Sequence, residues 1–305
     1  MKVGTLKQPL FAKILARKGI TVRFGPLQIR LRTPIESLAS LLHHFWRDFP
    51  LVDEPAIIDC HIAVSRHLIH RRWPNPELLI LVDGRAIGPS FPLAHHFPML
   101  EWGVNLCLAR RANHLLMLHA AVMERHGQAL LLPALPGHGK STLCAALTHS
   151  GWRLLSDEFG LVRPEDGLLL PVPRSLPLKN ASIDVIRAFA PQADLGPAFE
   201  GTHKGTVAHV RPPTESVQRM DEPAQPRWVV FPRWVAGSRL RLEPVVKPDA
   251  FLMVATNAFN YDILGQTAFE LVGQMVDACD CYTLVYSDLK EAMAVLNELT
   301  SSANA

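Results

Sequence analysis

The chain lacks a surplus of either charge: 31 Lys and Arg stand against 28 Asp and Glu, a formal +3 over 305 residues. A near-balanced chain has no electrostatic call for a phosphate backbone or an anionic membrane, so no nucleic acid and no membrane is expected as partner. The basic run RHLIHRRWP, Arg66 to Pro74, is short and matches no nucleic-acid module. No stretch approaches the roughly 18 uninterrupted apolar residues of a membrane span. In MKVGTLKQPLFAKILARKGITVRFG basic residues interrupt every apolar run, so a secretory leader is not expected. Cysteine is scarce: Cys60, Cys107, Cys144, Cys279 and Cys281 form an odd set without C-x-x-C spacing. That pattern speaks against zinc and a disulfide framework, and fits reduced thiols in a cytoplasmic chain. Internal repeats and low-complexity tracts are absent as well.

What is present suffices for a large core, with 48% hydrophobic residues in a length that suits one large domain or two ordinary ones. Between Gly19 and Arg111, short strands (GITVRFG, LQIRLR, AIIDCHIAV, ELLILVDG) alternate with helices predicted over Ile35–Phe49 and Pro98–Arg111. This describes a smaller N-terminal α+β domain, residues 1–113, assigned to recognition or oligomerisation.

Residues 114–305 open differently. HLLMLHAAVMERHGQALLLPA holds two apolar runs around Glu124–Gln128, where Gly127 supplies the positive φ of a hairpin. The second run leads into LPGHGKST, and STLCAALTHSG then has helix formers with Gly151 as a stop. WRLLSDE follows as a strand ending in two acids. Prolines between Arg163 and Pro177, and between Pro212 and Pro232, predict loops with short extended pieces, and Glu200–Pro226 is the candidate mobile loop. RWVVFPRW, SRLRLEPV and CYTLVYS are predicted strands; Phe251–Cys279 and Leu289–Leu299 are predicted helices.

Strand, glycine loop and helix in that order are what a phosphate-binding loop needs, because successive N–H groups at a helix N-terminus make a nest for anions. The nest runs over Pro136, Gly137, His138, Gly139, Lys140, Ser141 and Thr142. Gly137 and Gly139 free the backbone, Lys140 neutralises the β and γ phosphates, and the Ser141 hydroxyl suits Mg²⁺. His138 occupies a variable position and faces solvent by default. Ala134 stands where the pattern G-x-x-x-x-G-K-[ST] has its first glycine, and is tolerable if its φ stays negative. A glycine turn merely capped by Ser141 or Thr142 has the same local sequence. The acids Asp157 and Glu158, delivered by a buried parallel strand adjacent to the loop strand, favour the nucleotide site. A lone Asp-Glu pair is otherwise a solvated turn. His119 lies on the strand that pairs with the loop strand, where a histidine is commonly a core or edge residue.

His119, LLPALPGHGKST and GWRLLSDE together resemble the catalytic domain of HPr kinase/phosphorylase and its relatives over Leu115 to about Asn180. The resemblance implies an α/β (α+β) P-loop kinase domain on a mixed sheet of the kind shared with phosphoenolpyruvate carboxykinase. It also implies ATP and Mg²⁺ as cofactors, Asp157 as general base, Ser141 and Glu158 on the metal side, His119 near the reacting phosphate, and a homo-oligomer. Departures are Glu158 for a second aspartate, Ser141-Thr142 for Ser-Glu, Ala134 for glycine, and no recognisable glycine-rich capture segment after Asn180. The expected activity is transfer of the γ-phosphoryl group of ATP to a hydroxyl, on a serine of a small protein or on a small-molecule alcohol. Lys179 is the first candidate to clamp the transferred group, ahead of Arg174, Lys204 and Arg211. The alternatives are a nucleotide-regulated binding protein without phosphoryl transfer, in which ATP sets the Glu200–Pro226 loop, and a structural chain with an accidental loop.

Overall fold

The computed structural model describes residues 1–53, 57–67 and 76–301. The first unit starts with α1 (Gln8–Arg17), β1 (Ile20–Phe24), β2 (Leu27–Arg32), α2 (Glu36–Phe45) and β3 (Cys60–Arg66). It continues with β4 (Glu77–Val82), β5 (Arg85–Ala86), β6 (Phe91–Pro92) and α3 (His96–Arg111). Its strands form one sheet in the order β1-β2-β3-β4-β5, with β6 also on β4. β2 and β3 are parallel because α2 crosses between them, and the other pairs are antiparallel. The first helix was not expected. Pro9 in its first turn fits, because the N–H that proline lacks has no intrahelical partner there, and Phe11 and Leu15, four residues apart, bury its inner face.

The second unit begins with β7 (Leu116–Leu118), β8 (Ala120–Arg125), β9 (Gln128–Pro133), α4 (Lys140–Thr148), β10 (Arg153–Ser156), β11 (Gly160–Val162) and β12 (Leu169–Leu170). Next come β13 (Leu176–Lys179), α5 (Ala181–Phe189), β14 (Phe199–Thr202), β15 (Gly205–Val210), α6 (Thr214–Gln218) and β16 (Gln225–Trp234). The chain closes with β17 (Arg241–Pro244), α7 (Lys247–Ala255), α8 (Tyr261–Leu264), α9 (Gln266–Ala278), β18 (Asp280–Tyr286) and α10 (Leu289–Ser301).

The central sheet is mixed, in the order β10-β8-β9-β16-β18-β17. β9, β16 and β18 are parallel neighbours, while β8, β10 and β17 join antiparallel. Its inner strands are covered on both faces, which is why β8 and β9 are continuous apolar runs without alternation. Ala121, Met123, Leu130 and Leu132 pack with α4 and α10; Ala120, Val122, Ala129 and Leu131 pack with α7 and α9. The hairpin between β8 and β9 closes on His126 and Gly127, both at positive φ (55° and 79°), the geometry of a two-residue hairpin turn. β16 tolerates its prolines because Pro226 lies at a register shift and Pro232 lies beyond the last pairing with β9.

Four expectations are corrected. β10 is not adjacent to the loop strand: β8 lies between, and two antiparallel steps make β10 run in the same direction as β9. Glu200–Pro226 is ordered, with β14 and β15 in a hairpin and α6 after it. Its anchor is Asn180, whose side chain accepts from the Thr206 N–H at 3.0 Å and donates to the Lys204 carbonyl at 3.4 Å. Phe251–Cys279 is broken into α7, α8 and α9, since the buried Asn260 spends its amide on the Met117 N–H and Leu115 carbonyl and Gly265 takes φ +55°. Finally, Cys60 and Cys107 form a disulfide across β3 and α3, with Cα atoms 6.1 Å apart. Packing of the two elements brought them together, which spacing along the chain does not register, and one ground for expecting a reducing compartment is thereby removed. The other three cysteines are buried thiols.

Among the described residues no helix is long and apolar enough to cross a membrane. The basic run beginning at Arg66 lies, beyond His67, outside the described residues. The core of the first unit extends without interruption into the second, through Met117, Phe159, Leu161, Val172 and Val217. α3 therefore packs close to the end of β10.

Candidate active site

The loop between β9 and α4 takes its shape from its glycines and from the ends of β16 and β18. Gly137 and Gly139 have φ of +89° and +83°, a region that side chains disfavour. A Cβ at Gly139 would lie 2.8 Å from the Tyr286 hydroxyl and 3.0 Å from the Trp234 Cβ. The His138 carbonyl accepts from the Trp234 N–H at 3.0 Å, and the Gly139 carbonyl from the Tyr286 hydroxyl at 3.4 Å. Ala134 is buried and is not among the positive-φ residues, so alanine costs nothing there.

The loop opens into a cleft of about 450 Å³, counted as space for the centre of a water-sized sphere. Pro136, Gly137, Gly139, Lys140, Ser141 and Thr142 form one wall, and His119, Asp157, Glu158, Lys179 and Lys204 face them. His138 is the member of the loop that does not line it among the described residues; its main chain fixes the loop while its side chain is half-buried elsewhere. Arg211 is also elsewhere, paired with Asp48 and Asp194 at 2.7 Å each.

Lys140 and Asp157 are both buried, at 9% and 7% exposure. The Lys140 ammonium donates to the main-chain carbonyl of Asp157 at 2.5 Å. The Asp157 carboxyl is thus free of that bond, and its buried Oδ1 has no hydrogen-bond partner among the described residues. Burial raises its pKa above the ordinary carboxylate value; Lys140 opposes this, Glu158 adds to it, and Ser141 and Lys179 oppose it. Glu158 Oε2 accepts from the Asn105 amide at 2.9 Å, a contact from α3 of the first unit. His119 sits between β7 and β8, its main-chain N–H donating to the Asn257 carbonyl at 2.7 Å. Burial first, and then Lys140, bring its pKa down to about 4, so it is a neutral imidazole at pH 7. Lys179 is exposed to the cleft, and desolvation and Lys204 lower its pKa.

What delivers the acids is a buried network under β10. Arg153 pairs with Glu124 directly across the strands and donates to the Arg219 and Glu222 carbonyls at 2.8 and 3.0 Å. The arginine of GWRLLSDE thus holds β10 in register rather than lining the cleft.

A hard divalent cation suits this donor set. Among the described residues there is no cluster of three or more His, Cys, Asp or Glu that could cage an ion. Mg²⁺ in phosphoryl transfer is held by one or two protein groups and completed by phosphates and water. Ser141 and Glu158, which line the same cleft, are two oxygen-bearing groups of that kind.

No protein-family model matches the chain, and no curated protein matches it.

Two further cavities adjoin the cleft, and neither was evident in the sequence. On the far side of the loop an apolar groove of about 610 Å³ runs between α5 and the ends of β16 and β18, with Val185, Phe189, Trp234 and Tyr286 on its walls. Beyond the acids a smaller cavity reaches α3, where Arg174 pairs with Glu101 at 2.5 Å and also contacts Asn105. Asn105, Glu101 and Trp102 carried no local signal; they join the site only because the first unit docks there.

Proposed function

We propose that the protein is a nucleotide- and Mg²⁺-dependent phosphotransferase of the HPr-kinase type, transferring the γ-phosphoryl group of ATP to a hydroxyl. One observation carries this reading: Asp157 lines the same cleft as the glycine loop and is tied to Lys140 through its main-chain carbonyl, so its carboxyl is not spent on the lysine.

In this reading the amides from Gly137 to Thr142 and the Lys140 ammonium bind the β and γ phosphates. The base moiety lies in the apolar groove against Trp234 and Val185. Ser141 and Glu158 hold Mg²⁺, which when bound neutralises phosphate charge. Asp157 orients the acceptor and takes its proton, a role that a raised carboxyl pKa serves. As the acceptor oxygen bonds to the γ phosphorus, the bond from that phosphorus to the β–γ bridging oxygen breaks, and its electron pair stays on the nucleoside diphosphate. Lys179 and Lys204 face the γ position and counter the developing charge. Neutral His119 offers a hydrogen bond there without adding charge.

Asp157→Asn tests the assignment. Retained MgATP affinity with loss of transfer supports a kinase; unchanged output identifies a nucleotide-regulated binding protein instead.

A further inference from the structure

We propose that the cavity between α3 and the β14–β15 hairpin is the acceptor site, and that it takes a small neutral polyol. This rests on the kinase reading above and goes beyond it by naming the acceptor's class and the elements that select it.

The cavity shares Asp157, Glu158, Lys179 and Lys204 with the phosphate cleft, so a hydroxyl in it lies beside the same two acids. Its size is about 100 Å³ of space for the centre of a water-sized sphere. A single water needs on the order of 10–15 Å³ on that measure. The cavity therefore holds a few carbons and their hydroxyls and does not admit a folded domain.

Three residues of the wall each carry a buried polar atom that is left without a partner. Among the described residues, Arg174 Nε, Ser175 Oγ and His209 Nδ1 are buried without a hydrogen-bond partner, and His209 is only 3% exposed. Buried polar atoms of this kind are costly unless something completes them. One is a guanidinium donor; the hydroxyl and the imidazole can donate or accept, and alcohols supply both functions. His209 is neutral at pH 7, since burial brings its pKa down to about 4 against the nearby Glu101.

Charge selects against ions. Three cations, Arg174, Lys179 and Lys204, line the cavity with three carboxylates, Glu101, Asp157 and Glu158. With the charges of the lining balanced, an acidic or basic acceptor gains no net attraction, whereas a neutral one needs none. Met99 and Trp102 of α3 and Val172 opposite supply apolar surface for carbon–hydrogen faces. The tip of the hairpin, His203 and Lys204, forms the outer rim, held by Thr202 Oγ1 on the Gly205 carbonyl at 2.6 Å.

The test uses the full chain with MgATP and a panel of glycerol, erythritol, ribitol, sorbitol, myo-inositol and glucose, reading diphosphate release and the phosphorylated product. MgATP affinity is measured in parallel by calorimetry. We expect at least one polyol to be phosphorylated. Trp102→Ala and Ser175→Ala should each raise its KM by about tenfold or more while MgATP affinity stays within twofold. Absence of MgATP binding sinks the kinase reading and this proposal with it. MgATP binding without polyol-dependent turnover overturns the polyol site alone. So does phosphorylation of a serine-bearing peptide or protein that neither substitution affects.

Discussion

The Lys140 ammonium and the Asp157 main-chain carbonyl are joined at 2.5 Å, fixing the first turn of α4 to the end of β10. The bond uses the backbone of Asp157, so the side chain can be changed without releasing the lysine. With its carboxyl pKa raised by burial, the folded protein binds more protons at Asp157 than the unfolded chain does between the ordinary carboxylate value and the raised one. Stability therefore falls as pH rises through that window, and the penalty is complete above it. Asp157→Asn should withstand more urea than the parent at pH 8, with the difference vanishing below about pH 4. Transfer by the same variant should drop about 10²–10⁴-fold, and the acid limb of the parent's kcat profile should lie above the usual carboxylate range.

The two loop glycines should separate in mutagenesis. Both have positive φ, but a Cβ at Gly137 meets nothing within 4 Å, whereas at Gly139 it meets Tyr286 and Trp234. Gly137→Ala should cost about 1–2 kcal/mol from backbone strain alone. Gly139→Ala adds overpacking and should cost on the order of 2 kcal/mol or more. Denaturant midpoints of the two variants check the order.

Arg153→Met leaves the buried Glu124 with only the more distant Arg219, at 3.8 Å, as its cation, and should destabilise by about 3 kcal/mol. The carboxyl of Glu124 resists the rise that burial would cause, because the Gly127 N–H and then Arg153 bring its pKa below the ordinary value. Its contribution is present above the unfolded value and is lost as pH falls through the folded one. Urea titrations at pH 7 and pH 3 should show the gap between parent and variant narrowing in acid.

The glycine loop and its flanks were legible because each rests on local chemistry: a continuous apolar run for a strand covered on both faces, glycines at positive φ, and helix formers after Lys140. The acids were legible as a pair, but the intervening strand β8 was not, since strand order is set by packing rather than by order along the chain. Prolines and glycines after Glu200 argued for a loop, yet the Asn180 side chain supplies the hydrogen bonds that order the hairpin. Asn105 reaches Glu158 across 53 residues of sequence, the separation at which pattern and propensity carry no information. The Cys60–Cys107 pairing is of the same kind, a product of how α3 lies on β3.

A phosphotransferase of the proposed kind must bind a triphosphate in the cleft through Lys140 and the loop amides. Calorimetric titration of MgATP into the parent and into Lys140→Met tests it most directly. Saturable binding by the parent is expected, weakened by about tenfold or more in the variant through loss of one charge-assisted bond. No binding by the parent, or equal affinity in both proteins, would contradict it.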